Sequence, residues 1–409
     1  MANDFLIVQT DRNVFESTDF YALKIFRLRI VEFENAFAPG LVNPALVLLK
    51  SFFFPPDVPI EQTTGEIETL VLQSFVVKKI DSSTSFYQLN PDFVLAATED
   101  AGFHPTGAFS QLNSYENRVF DIKLEDEIDE LGSKQIIAKF YRPGRWNLHA
   151  LQEEHQFLFD LQAEGIPVVA PIKIGKGSVL NHNGIYVAFF PKFRGRMPEE
   201  FLAGDLAQIG RRLAQIHNVG SRRKFLERGV WSQTPFSGWD QLEILSSIVA
   251  PEVWPRYESA AITLLERIEE EIDTNQFIRI HGDCHRGNLL LRPQTSGQKE
   301  FFFVDFDDCL MGPAAQDFWM LFSTSEQKSE LMSEEKEQIL KGYEELRPFP
   351  EQQWQWLSLL RGYRILYYSA WIARRWSDPS FPLLFPNFET YSFWAEETEA
   401  LESIAWSLG

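Results

Sequence analysis

The sequence predicts an α+β chain of two lobes, a small strand-rich one at 89–193 and a large, mainly helical one at 194–409, behind a mostly β extension at 1–88. Three observations predict this. Up to about residue 191 the apolar runs are short and bounded by turn residues, as strands require; beyond Gly195 apolar residues recur every three or four positions, as helices require. In the second half, HGDCHRGNLLL (281–291) is followed after a turn by FFFVDFDD (301–308), so polar residues are pinned between short apolar strands. At 409 residues and 44% hydrophobic content, the chain has apolar surface for more than one core.

The elements follow in order. In the extension, Phe26, Leu28 and Ile30 alternate with Arg27, Arg29 and Val31 as a strand, and 45–54 and 68–79 predict two more, separated by FPPDVP and EQTTGE turns. This region carries no catalytic constellation, and Phe52, Phe53 and Phe54 suit a core or an interface. Asn90 before Pro91 caps a helix running to about Asp100 and ended by Gly102. Residues 109–126 then predict strand, turn, strand, and QIIAKFYRPGRW predicts an apolar strand carrying Lys139. A helix begins after Trp146 with Phe157 and Leu158 on its buried side, and 163–196 supply two or three further strands. Asp205 is expected to cap a helix whose Leu206, Ile209, Leu213 and Ile216 pack as core, with His217 structural. Two more helices follow, the acidic run 266–273 being a solvated helix end, and a strand at 277–280 leads into the polar loop. Beyond it, Asp317 opens another helix, and helices dominate from 331 onward.

The loop at 281–308 carries the chemistry. An Asp followed five positions later by an Asn, then an apolar run, a turn and a strand ending in Asp, is what phosphoryl transfer from ATP needs. Asp283 would accept or orient the proton of the attacking hydroxyl, and Asn288 and Asp305 would hold magnesium with hard oxygen ligands. The turn-rich stretch 292–299 lets a hairpin bring Asn288 beside Asp305. Asp307 is an additional carboxylate able to ligate or reposition the metal; Asp305 is preferred.

HGDxHxGN with its downstream strand and DFDD resembles the catalytic loop and metal-binding Asp of the aminoglycoside phosphotransferase and choline kinase superfamily, relatives of protein kinases that write HGD for HRD. LNSYENRVF, AKFYRPGRW, EEHQFL, IPVVAPI and VDFDDCLMGPAAQDFWML narrow the resemblance to the stress response kinase A group of bacterial Ser/Thr protein kinases, from about Phe86 to the C-terminus. The resemblance implies a protein-kinase-like two-lobed fold and ATP- and magnesium-dependent phosphorylation of protein hydroxyls by a mainly monomeric cytoplasmic enzyme linked to stress survival. It implies that Lys139 holds the α- and β-phosphates, paired with Glu154 rather than the competing Glu153, and that Asp317 holds His281 and the loop backbone. The loop over the phosphates would be Ser114, Tyr115, Glu116 and Asn117, although the glycines usual there are missing; Phe190 and Lys192 fall where the adenine-binding hinge lies. Only eleven residues separate Asp305 from Asp317, too few for a long activation loop.

A net charge of −20 and a pI near 4.9 exclude a general nucleic-acid or anionic-membrane binder. Cys284 and Cys309 are too few for a disulfide framework, and neither a signal sequence nor a run of the ~18 apolar residues a membrane span needs is present, so a cytosolic protein is expected. Trp354, Trp356, Tyr363, Tyr367, Tyr368, Trp371 and Trp376 fit either helix packing or a cation-holding pocket, while Arg361, Arg364, Arg374 and Arg375 form a positive strip suited to an acidic partner. A small-molecule kinase acting on an amino alcohol, sugar or antibiotic is the alternative of the same chemistry. A pseudokinase binding module is the alternative of a different class, opposed by the intact set Lys139, Asp283, Asn288 and Asp305.

Overall fold

The computed structural model describes residues 86, 89–128, 132–233, 235–293, 299–322 and 329–407, all within the compact unit Ser82–Gly409. The strands expected at 26–31, 45–54 and 68–79 lie outside the described residues.

Helix α1 (Pro91–Asp100) starts where Asn90 accepts the Phe93 amide at 2.9 Å and proline fills the first position, which needs no donor. It packs Val94 and Ala97 on a five-stranded antiparallel sheet of β1 (Pro105–Leu112), β2 (Arg118–Ile128), β3 (Ser133–Phe140), β4 (Leu180–His182) and β5 (Ile185–Pro191), in the order β1-β2-β3-β5-β4. The two-residue period sorts the faces. Phe120, Ile122, Leu124, Ile136, Ala138 and Phe140 enter the core under α1, so Val119, Asp121, Ile137 and Lys139 lie on the opposite face, where they line a cleft.

Helix α2 (Leu148–Ala163), capped by Asn147, buries Leu151, Glu154, Phe157, Leu158 and Leu161 at intervals of three and four. That stripe includes Glu154 and excludes Glu153, one position and about 100° away.

The helical part contains α3 (Asp205–Gly220), α4 (Gly238–Leu245), α5 (Trp254–Glu271), a short α6 (Gln316–Trp319), α7 (Ser329–Tyr343), α8 (Leu357–Arg374), α9 (Ser380–Leu384) and α10 (Tyr391–Ser407) around one large core. Asp205 is not the cap of α3 as expected. Left-handed Gly204 holds that place, and the Asp205 carboxylate instead accepts the Leu202 amide and pairs with Lys299 at 3.1 Å. Helices α3 and α7 cross at glycine: a Cβ on Gly210 would lie 2.0 Å from the Ile339 carbonyl, and one on Gly342 1.7 Å from that of Ala207.

Two small ribbons carry the polar loop. Strand β6 (Ile278–Ile280) pairs with β9 (Leu310–Gly312), and β7 (Leu289–Pro293) with β8 (Lys299–Phe303), Leu289 opposite Phe303. The second ribbon sets Asn288 against Val304, whose amide donates to the Asn288 carbonyl at 3.0 Å.

Candidate active site

The loop between β6 and β7 is fixed from below by one carboxylate. Asp317, fully buried, accepts the amides of His281 and Gly282 at 2.8 Å each and is met by His217 Nε2 at 3.1 Å. His217 in turn reaches the Tyr343 hydroxyl at 2.9 Å. Asp317 therefore serves the loop backbone and not a helix cap, which for α6 falls at Ala315. The His281 ring donates Nε2–H to the Val304 carbonyl at 2.9 Å, tying the loop to the strand that ends at Asp305. Gly282 adopts φ 86°, and a Cβ there would stand 2.2 Å from the Asp308 carbonyl, so only glycine fits.

Three of the residues expected to act converge here. Asn288 Nδ2 donates to the Asp283 carbonyl at 2.9 Å, which turns its Oδ1 away. Asp305 sits in the left-handed region at φ 60°, ψ 65°, a strained conformation for a non-glycine residue and one that clusters at functional sites. Its side chain is 54% exposed, toward the cleft. Burial disfavours the charged form of Asp283, but the Arg364 guanidinium at 3.0 Å and His285 at 3.5 Å hold its carboxyl well below the usual range. Among the described residues no cluster of three or more His, Cys, Asp or Glu is placed to hold a metal.

Lys139 is 8% exposed and its Nζ lies 3.1 Å from Asp305, 3.3 Å from Asp307 and 3.9 Å from Glu154. Burial works against its charge, yet the three carboxylates outweigh burial and raise its pKa well above that of a free lysine. Burial pushes Glu154 up to about 7 against the pull of Lys139 and Arg228. Glu153 has another task, accepting the amides of Leu226, Glu227 and Arg228 at 2.7, 2.9 and 3.2 Å.

Two arginines that motif reading passed over complete the network. Fully buried Arg228 binds Glu154 at 3.1 Å, the Cys309 carbonyl at 2.6 Å and the Asp307 carbonyl, beneath the Trp146 ring at 4.1 Å. Arg145 binds the carboxylates of Asp307 and Asp308. The signal was VDFDD itself: three acids in four positions, beside a buried Glu154, exceed what one lysine neutralises.

These groups face a cleft of about 750 Å³. Ser114, Tyr115, Phe190 and Lys192 line it, as does Glu116. The Glu116 carboxylate is engaged by the Trp371 indole and Arg375 at 2.6 Å each and by Arg142 at 3.1 Å. Lys192 pairs with Asp121 at 2.6 Å. Asn117 does not line the cleft. It is buried, bridging the Arg142 amide and the Asp307 carboxylate at 3.1 Å each.

The model of the phosphotransferase enzyme family (APH) matches residues 109–349, more than half of the chain. The chain belongs to the phosphotransferase enzyme family. This phosphotransferase is similar to stress response kinase A of Salmonella choleraesuis, 33% identical over 323 residues that make up 78% of this chain and 93% of the relative. Its similarity to serine/threonine protein kinase RdoA of Salmonella typhimurium is equal in identity and coverage, 33% over 323 residues, 78% and 93%. Among solved structures, amicoumacin kinase hAmiN, in complex with AMP-PNP, Ca2+ and Ami, superposes with a TM-score of 0.61 at 18% identity, covering 77% of this chain and 97% of that one. The family and the fold are those the sequence resemblance implied, and the phosphotransferase is an ATP-dependent kinase. Among the described residues, no helix is long and apolar enough to cross a membrane.

Proposed function

We propose that this phosphotransferase is a serine/threonine protein kinase that moves the γ-phosphoryl group of ATP to a protein hydroxyl, working as a monomer in the cytoplasm. The observation that carries the transfer chemistry is the convergence of Asp283, Asn288 and Asp305 with buried Lys139 on one cleft. Asp283 is the base: its carboxylate is kept ionised by Arg364 and His285, and so is ready to take or orient the hydroxyl proton. Lys139, charged and immobilised by carboxylates at its back, meets the α- and β-phosphates. Glu154 anchors it, and Asp317 keeps Asp283 in register by holding the two preceding amides. Ser114 and Tyr115 face the phosphates, and Phe190 and Lys192 border the base, with Glu116 and Asn117 bracing the same turn.

The donor set fits magnesium. Asn288 spends its amide hydrogens on Asp283 and keeps an oxygen free, and Asp305 offers a half-exposed carboxylate; two such side chains are what this ion takes from a protein when phosphates and water complete its shell. When bound, the ion neutralises charge on the phosphates. The protein acceptor is supported by the name of a relative, serine/threonine protein kinase RdoA.

The test is transfer from labelled ATP to bacterial proteins and to a panel of amino alcohols, sugars and antibiotics. Phosphoserine or phosphothreonine on protein is expected, with Asp283→Asn abolishing transfer while ATP affinity stays nearly intact. Transfer confined to free alcohols would replace this reading with that of a small-molecule kinase.

A further inference from the structure

One wall of the cleft is built from Arg364, Tyr367, Tyr368 and Trp371, all on α8, and apart from the pairing of Arg364 with Asp283 the transfer chemistry gives these side chains no task. Aromatic walls suit a cationic acceptor, whose charge rests on ring faces. Here the faces of Tyr368 and Trp371 are taken by the protein, and Tyr367 stacks on Tyr363. The Arg364 guanidinium lies 5.6 Å from the Tyr368 ring centre and that of Arg375 5.1 Å from Trp371, while Tyr368 and Trp371 stack on each other at 5.6 Å. The nearby carboxylates are committed as well: Glu116 to Arg142 and Arg375, Asp308 to Arg145, Asp283 to Arg364. Apart from Asp305, which the reading above assigns to the metal, an acceptor ammonium would have to displace a lysine or an arginine to find a partner.

Arg364 offers the reverse. Its only ion-pair partner among the described residues is Asp283, reached through Nη2 at 3.0 Å, and 28% of its side chain stays exposed. A guanidinium carries five donors in a planar fork that matches carboxylate or phosphate, so an ion pair through one nitrogen leaves donors over. We propose that Arg364 reads the acceptor: it selects serine or threonine flanked by acidic residues, binding the flanking carboxylate while its Nη2 stays on Asp283, and so delivers the hydroxyl to the base. This rests on the protein-kinase reading above.

The experiment uses the full chain with ATP and magnesium on matched peptides whose central serine is flanked by Asp and Glu, by Ala and Gln, or by Lys and Arg, beside free hydroxy acids and amino alcohols. The acidic peptide is expected to exceed the basic one in kcat/KM by at least about tenfold, the size of one charged hydrogen bond. Arg364→Ala brings that ratio toward one, and Arg364→Glu inverts it. Because both peptides meet the same variant, the ratio cancels damage done to Asp283. Should turnover fall below detection, the affinities of the nucleotide-loaded variants for the same peptides give the ratio. Wild-type preference for the basic peptide or an amino alcohol, or a ratio unmoved in both variants, overturns the role of Arg364. Arg364-dependent transfer to hydroxy acids and to no peptide overturns the protein acceptor and leaves the anion-reading role of Arg364 standing.

Discussion

A methyl group at Gly282 has nowhere to go. With φ at 86° and the Asp308 carbonyl 2.2 Å from the Cβ position, Gly282→Ala must break the contact between the loop and the segment after Asp305. It is expected to cost about 2 to 4 kcal/mol of stability and most of the activity, read by thermal melting and by kcat. His155 gives a pH signature. Buried between Tyr141 and Ser178 at 2.9 and 2.7 Å, it is lowered from 6.5 to about 3, by burial first and by Lys139 and Arg228 next. The unfolded chain binds that proton below pH 6.5 while the folded chain does not, so stability is full above 6.5 and falls as the pH drops toward 3. Between pH 7 and 5 the wild type should lose about 2 kcal/mol more than His155→Gln in urea unfolding. Equal losses would remove His155 as the cause. At the proposed magnesium site, Asn288→Ala and Asp305→Ala should each shift the magnesium titration of activity to higher concentration, and unchanged curves in both would sink the assignment.

These residues differ in how far the sequence disclosed them. Asp283, Asn288 and Asp305 lie within 23 positions, joined by a hairpin, so local pattern sufficed to bring them together. Helix phase separated Glu154 from Glu153 once a buried stripe was assigned. Arg228 and Arg364 reach their carboxylates across 74 and 81 positions, and no periodicity reports which distant cation a buried acid will meet.

At the scale of elements, the turn between β1 and β2 behaves as a latch. The family resemblance implies that this glycine-free turn covers the phosphates; in the fold its Glu116 is tied to the end of α8 through Trp371 and Arg375, and the flanking Arg118 and Arg142 hold Asp378 behind that helix at 3.2 Å each. Those partners lie more than 230 positions downstream, beyond the reach of turn chemistry. Glu116→Gln keeps the shape and removes the charge that Arg142, Arg145 and Arg375 share. Bound nucleotide should then dissociate about tenfold faster, measured with a fluorescent ADP, while the protein stays folded. An unchanged rate would assign the latch no part in nucleotide retention. The helices themselves were legible from their three-to-four spacing, whereas the Asp205 cap was not: an acid at a helix start also serves a lysine from another strand, here Lys299.

For the whole molecule, the segment from Asp305 to Asp317 holds no Ser, Thr or Tyr, and residues 309–317 are buried as β9 and the start of α6. No hydroxyl there can take a phosphate, and Gly282 stands where HRD kinases keep the arginine that would read one. The enzyme is therefore expected to be active as made, and phosphatase treatment should leave its rate on a fixed substrate unchanged.

The latch also sets an order of events in time. On the ribosome the sheet, Lys139 and the loop at Asp283 emerge well before Trp371, Arg375 and Asp378. Until α8 arrives, the nascent chain has Arg142 and Asn117 to brace the turn but neither the clasp of Trp371 and Arg375 on Glu116 nor Arg364 beside Asp283, so synthesis of the tail completes the turn and the base together.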